Sequence, residues 1–202
     1  MRNVGLGLAA LLIIILVGAF FYGPSVYDKA VALQEEVDAK WGDVQSSYQR
    51  RVDLIDNLVQ TVKGVADFEK ETLIAVVEAR AKATSIQLDP SNLNAEQMKE
   101  FEEAQGGMKS ALGRLLVTVE RYPELKATEN FSQLQAQLEG TENRINTARD
   151  RYNESVKNYN THIRGFWRKQ MIKFFGDEEF PKRDVFEANA GAENAPKVDF
   201  KN

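Results

Sequence analysis

The chain has 202 residues, 43% hydrophobic and 28% charged, with a net charge of −4 and no cysteine. The absence of cysteine excludes a disulfide framework, lipobox lipidation and a cysteine-ligated metal. The acidic balance lacks the basic footprint of a nucleic-acid binder, and the length suits one domain with a real core.

Val4 to Tyr22 is a run of nineteen residues without a charge. As a helix rising about 1.5 Å per residue it would span about 28 Å, close to the hydrocarbon thickness of a bilayer. The run is read as a retained transmembrane anchor over 1–23, with Val4, Leu8, Leu12, Ile15, Phe20 and Phe21 as its anchor residues. A signal peptide cleaved at Val17-Gly18-Ala19 is the alternative, but the apolar run is longer than a usual signal h-region. Arg2 on one side and Lys29 and Lys40 on the other leave orientation undecided by charge. The signal-anchor look leans toward a translocated, periplasmic or extracytoplasmic domain.

From Pro24 the apolar residues fall at helical spacing. Pro24 suits a helix start or a hinge just beyond the anchor. Val26, Ala30, Leu33, Val37, Trp41, Val44, Tyr48, Val52, Ile55, Val59 and Val62 alternate steps of three and four, one long amphipathic stripe ending near Gly64. A shorter helix carries Leu73, Val76, Val77 and Ala83, and a breaker-rich loop follows at 87–92. A third helix runs from about Asn94 to Tyr122, weakened by Gly106-Gly107. The fourth keeps Phe131, Leu134, Leu138, Thr141, Ile145, Ala148 and Tyr152 in strict spacing, and continues through Phe166 after a one-residue shift. The pattern predicts an all-α protein: a transmembrane helix, then an antiparallel four-helix bundle over 24–175. Breaker loops favour an intrachain bundle over a coiled coil between chains. The tail, 176–202, reads as extended and is punctuated by Phe180, Phe186, Val198 and Phe200, which could dock on the bundle or on a partner.

Summed helix lengths return the end of the fourth helix to the level of the anchor. There Phe166, Trp167, Met171, Phe174 and Phe175 share one side of a helical wheel, with Arg164, Arg168, Lys169 and Lys173 around them. Phe166, Trp167, Arg168, Lys169, Lys173, Phe174 and Phe175 are therefore candidate membrane or partner contacts.

No catalytic constellation is visible. His162 is the only histidine, HExxH and Glu-x-x-His are absent, and neither a phosphate-cradling glycine loop nor a G-x-S-x-G elbow occurs. The reading is of a non-enzyme with no cofactor and no metal site. Arg51 falls between Ile55 and Leu58 on the apolar face of the first helix, and Arg80 falls beside Val76 and Val77 with Glu69 on the same side. A guanidinium facing a core must be paired or snorkel out. Arg51, Glu69 and Arg80 are accordingly expected to form a polar core that sets helix register, with at least one arginine bonded to a carboxylate of a neighbouring helix.

The stretch Tyr48-Gln49-Arg50-Arg51-Val52-Asp53-Leu54-Ile55-Asp56-Asn57-Leu58-Val59, continuing through Glu69-Lys70-Glu71-Thr72-Leu73 to Glu78-Ala79-Arg80-Ala81, closely resembles the LemA family. So does the ending from Phe186-Glu187-Ala188 to Ala195-Pro196-Lys197-Val198-Asp199-Phe200. The resemblance implies an N-terminal transmembrane helix, an antiparallel bundle, no established catalysis or ligand, and a short N-terminus outside with the bundle in the cytoplasm. One member takes part in building the magnetosome membrane, and family genes often neighbour membrane proteases. Asp56 stands where the motif commonly has proline, which should favour an unbroken first helix.

These readings converge on a single-pass protein of the bacterial plasma membrane: a non-enzymatic scaffold that contacts lipid, forms a homo-oligomer, and organises or remodels the membrane. The alternative is an adaptor or accessory subunit of a membrane complex such as a protease, with the aromatic tail as docking element.

Overall fold

A computed structural model describes residues 2–65, 68–90, 93–176 and 179–187, and the side chains of Val4, Leu8, Leu12 and Ile15 lie outside that description. All regular structure among the described residues is helical: α1 Arg2–Lys63, α2 Lys70–Ser85, α3 Ala95–Val119, α4 Pro123–Lys126, α5 Glu129–Arg164 and α6 Phe166–Phe175.

α1 is one helix of 62 residues with Pro24 inside it. Pro24, expected at a helix start or a hinge, neither starts nor interrupts the helix. Proline removes one donor and crowds the preceding turn, yet the buried stripe Val26, Ala30, Leu33 and Val37 begins at once and is packed against α5 and α6. α1 also runs unbroken through Asp56, whose carboxylate pairs with Arg80. Among the described residues no helix is long and apolar enough to cross a membrane. Of the expected anchor residues, Phe20 and Phe21 have described side chains, and both are exposed.

α5 lies antiparallel along α1. His162 Nε2 donates to the Val26 carbonyl (2.9 Å) near one end, and Arg51 meets Glu142 farther along. α3 starts at an Asn94 capping box, in which the Gln97 amide reaches Asn94 Oδ1 (2.9 Å) and Gln97 Oε1 accepts from the Asn94 amide (3.3 Å). α2 and α3 form an antiparallel hairpin too short to cover all of α1 and α5. At about 1.5 Å per residue, the 16 residues of α2 reach only about 24 Å.

The consequence is two cores. The distal one joins Val52, Ile55, Leu58 and Val62 of α1 to α2, α3 and the start of α5, and there the bundle has four helices. In the proximal one, Val26 to Tyr48 of α1 and Ile145 to Ile163 of α5 are covered by the α2–α3 loop, the first turns of α3 at Met98 and Phe101, α6 and residues 179–187. The four-helix arrangement expected along the whole length holds only distally. Leu88, Leu93, Ile172 and Phe186 fill the space where two more helices would lie.

The expected fourth helix is also two helices. Gly165 takes φ −60° and ψ 130° and ends α5, and α6 starts on its far side and turns back against α1.

Candidate functional site

α6 is held where the apolar run 4–22 of α1 ends. The Phe175 ring covers Gly23 so closely that any side chain at 23 would strike it, and the Tyr27 ring covers Gly176 in the same way. Ile172 is buried between the two long helices. With that side committed to the core, the opposite side faces outward: Phe166 is 70% exposed, Trp167 74% and Phe174 81%. Phe175 departs from the wheel expectation, because it faces α1, and Met171 is partly buried with it. Arg168, Lys169 and Lys173 are exposed. Among the described residues none of these three cations, nor Arg164, takes part in an ion pair.

The polar residues expected in the core divide. Arg51 is 3% exposed; its Nη1 donates to Glu142 Oε1 of α5 (2.7 Å), and its Nη2 donates to Gln105 of α3. Lys109 also reaches Glu142 (3.2 Å), so α1, α3 and α5 meet in one charged network. Burial pushes the Glu142 carboxyl up, but hydrogen bonds and charge from Arg51 and Lys109 outweigh it and hold it below its ordinary value. Arg80 is partly exposed and pairs with Asp56 of α1. Glu69 is not with them: it is the residue before α2, exposed, and bonded to Arg121 (2.7 Å). A wheel drawn for α2 does not extend to a residue outside the helix, which is why the grouping fails.

The start of the tail is extended and docked on the bundle, one of the two outcomes left open by its sequence, but the side chains that clamp it went unnoticed. Residues 179–187 form an extended strap along α1 and α5. Asn160 donates to the Arg183 carbonyl (2.7 Å) and accepts from its amide (3.1 Å). Asn153 does the same for Phe186, at 3.1 and 2.9 Å. Two asparagines seven apart on α5 thus grip two backbone units three apart on the strap. Phe186 stacks on Trp41 (ring centroids 5.8 Å) and lies under the Arg149 guanidinium (4.5 Å). Arg183 is buried, donates to the Pro90 carbonyl and faces Asp38 (3.6 Å), tying the strap to the α2–α3 loop and to α1. Of the four tail hydrophobics, Phe186 is buried and Phe180 packs against Tyr27, whereas Val198 and Phe200 lie outside the described residues. The available signal was Asn153 and Asn160, each following a core tyrosine, Tyr152 and Tyr159, at heptad spacing.

Burial raises several groups here. The Tyr152 phenol, which donates to the Asp184 carbonyl (3.2 Å), is pushed up to about 12, with Arg183 opposing and Asp38 and Asp184 adding. Burial likewise raises Glu102 despite its pairing with Arg149. Among the described residues no group of three His, Cys, Asp or Glu side chains could hold a metal ion.

A model of the LemA family matches residues 40–200. The chain belongs to the LemA family. The match starts inside α1, beyond the apolar run, and takes in the bundle, α6 and the strap. Magnetosome protein MamQ 1 of Paramagnetospirillum magneticum is 27% identical over 154 residues, 68% of this chain and 57% of its own length. Magnetosome protein MamQ of Magnetospirillum gryphiswaldense matches to the same extent. Protein LemA of Metamycoplasma hominis is 25% identical over 161 residues, 78% of this chain and 68% of its own. The chain thus spans 57% of the length of these MamQ relatives.

Proposed function

We propose that this LemA-family chain is a non-enzymatic helical scaffold, anchored in a bacterial plasma membrane by its N-terminal apolar run, that self-associates and organises or remodels that membrane. The observation that carries the reading is α6. Phe166, Trp167 and Phe174 stand exposed on a helix whose other side is fastened to Gly23, the residue that follows the apolar run 4–22. Aromatic rings with basic neighbours suit the headgroup region of a bilayer, where the ring bodies leave water and the cations remain hydrated. Relatives named as magnetosome proteins support an assembly role. The side of the membrane that holds the bundle follows from neither observation. A cysteine reporter in the tail of this cysteine-free chain would read it directly.

Fractionation tests the anchor. The full chain should stay with membranes through an alkaline carbonate wash; a soluble species starting near Phe20 would overturn it. Electron microscopy in detergent tests the scaffold, for which large closed or curved assemblies are expected and a strict monomer would be fatal. The adaptor alternative uses the tail as its docking element, and a partner pulled down by the full chain but not by one lacking residues 176–202 would favour it; Phe180 and Phe186 of that tail are packed on the bundle.

A further inference from the structure

We propose that the cleft between the end of α5, α6 and the strap binds the phosphate headgroup of an anionic phospholipid. The proposal deepens the membrane reading and rests on it for the occupant's source. Arg164 of α5, Lys169 of α6 and Lys182 of the strap line a cleft of about 520 Å³ over an apolar floor of Ile163 and Phe180. An adjoining hollow of about 250 Å³ adds Lys173 and Ile172, with Glu179 as the one carboxylate on its described wall.

Three separate elements therefore bring cations to one concavity. Lys182 already donates to Asp184 (2.8 Å), whereas Arg164, Lys169 and Lys173 take part in no ion pair among the described residues. Four cations converging beside only two carboxylates, Asp184 and Glu179, favour an anion, and a phosphate oxygen is a good acceptor for a guanidinium and two ammonium groups. The apolar floor and the exposed rings of the same helix choose the source. A free phosphate has no use for them, while a phospholipid can lay its glycerol and upper acyl carbons there. The position agrees, since α6 ends against Gly23, directly after the apolar run 4–22.

The test uses the full chain in detergent, titrated with phosphatidylglycerol, phosphatidylcholine or inorganic phosphate and read by native mass spectrometry. Phosphatidylglycerol should be retained at least about tenfold more tightly than phosphatidylcholine. The triple variant Arg164→Gln, Lys169→Gln, Lys182→Gln should abolish that preference. Lys63→Gln with Lys70→Gln, at the far end of the bundle, should keep it. Equal retention of the two lipids by the wild-type chain overturns the proposal whether or not the triple variant folds. So does an intact preference in a folded triple variant, or displacement of the lipid by an equal concentration of inorganic phosphate. Co-flotation with vesicles is read in parallel. Flotation without headgroup preference removes the site and leaves the anchor; preference in detergent without flotation removes the anchor and leaves the site.

Discussion

Arg51 is the residue on which three helices depend. Its guanidinium lies in the apolar stripe of α1 and is neutralised by Glu142, so taking away the carboxylate strands a buried cation. Glu142→Ala should cost roughly 3 kcal/mol in chemical unfolding at neutral pH. Arg51→Met should cost less, because Lys109 still serves Glu142 and the new side chain suits its apolar neighbours. The pH dependence has a definite sign. Glu142 titrates below its ordinary 4.5 in the folded chain, so its contribution is present above pH 4.5 and is lost as pH falls through the lower folded value. The gap in Tm between wild type and Glu142→Gln should therefore close on acidification below pH 4.5; a constant gap would mean that the pair contributes nothing as an ion pair. The inward placement of Arg51 was legible, since 100° per residue puts it among Ile55 and Leu58. Its partner was not, because the register between α1 and α5 is a tertiary quantity that neither helix encodes alone.

Among the elements, the strap was least legible and explains most about the shape. Helical periodicity marked the long helices well, because each buries one stripe. Periodicity says nothing about a segment held by side chain-to-backbone bonds, and it passes straight through Gly165, where the chain breaks direction for want of any side chain to continue the stripe. The clamp predicts local consequences. Asn160→Ala removes both bonds to residue 183 and should cost about 1–3 kcal/mol, since a half-buried peptide unit loses its partner. Hydrogen exchange should quicken across 179–187 while α2 and α3 keep their protection; unchanged exchange in the strap would count against the clamp. Alkaline pH should loosen the same region. Tyr152, raised to about 12 in the fold from an ordinary 10.0, contributes fully below pH 10.0 and loses that contribution as pH rises through about 12. Tyr152→Phe should flatten this alkaline limb of the stability curve, and an unaltered limb would assign it to other groups.

At the scale of the whole molecule, the two tryptophans separate two environments. Trp41 is 1% exposed inside the proximal core, and Trp167 is on the outer side of α6. In vesicles containing brominated phospholipid, the full chain should show quenching of Trp167 alone, so Trp167→Phe should abolish the quenching. Persistent quenching in that variant, or none in the wild type, would detach α6 from lipid. Gly23→Leu tests the mounting of α6, because the new side chain displaces the Phe175 ring. It should lower stability by about 1–3 kcal/mol, read as a drop in Tm. One more result follows from the continuity of α1 through Pro24. One helix carries the greasy segment at one end and Val62 at the other, and α6 is packed across it at Gly23. Because the helix is continuous, turning the segment 4–22 about its axis should carry the strap and the three exposed α6 rings round with it. In the scaffold proposed above, the rotational setting of that segment would fix which flank one copy offers to the next.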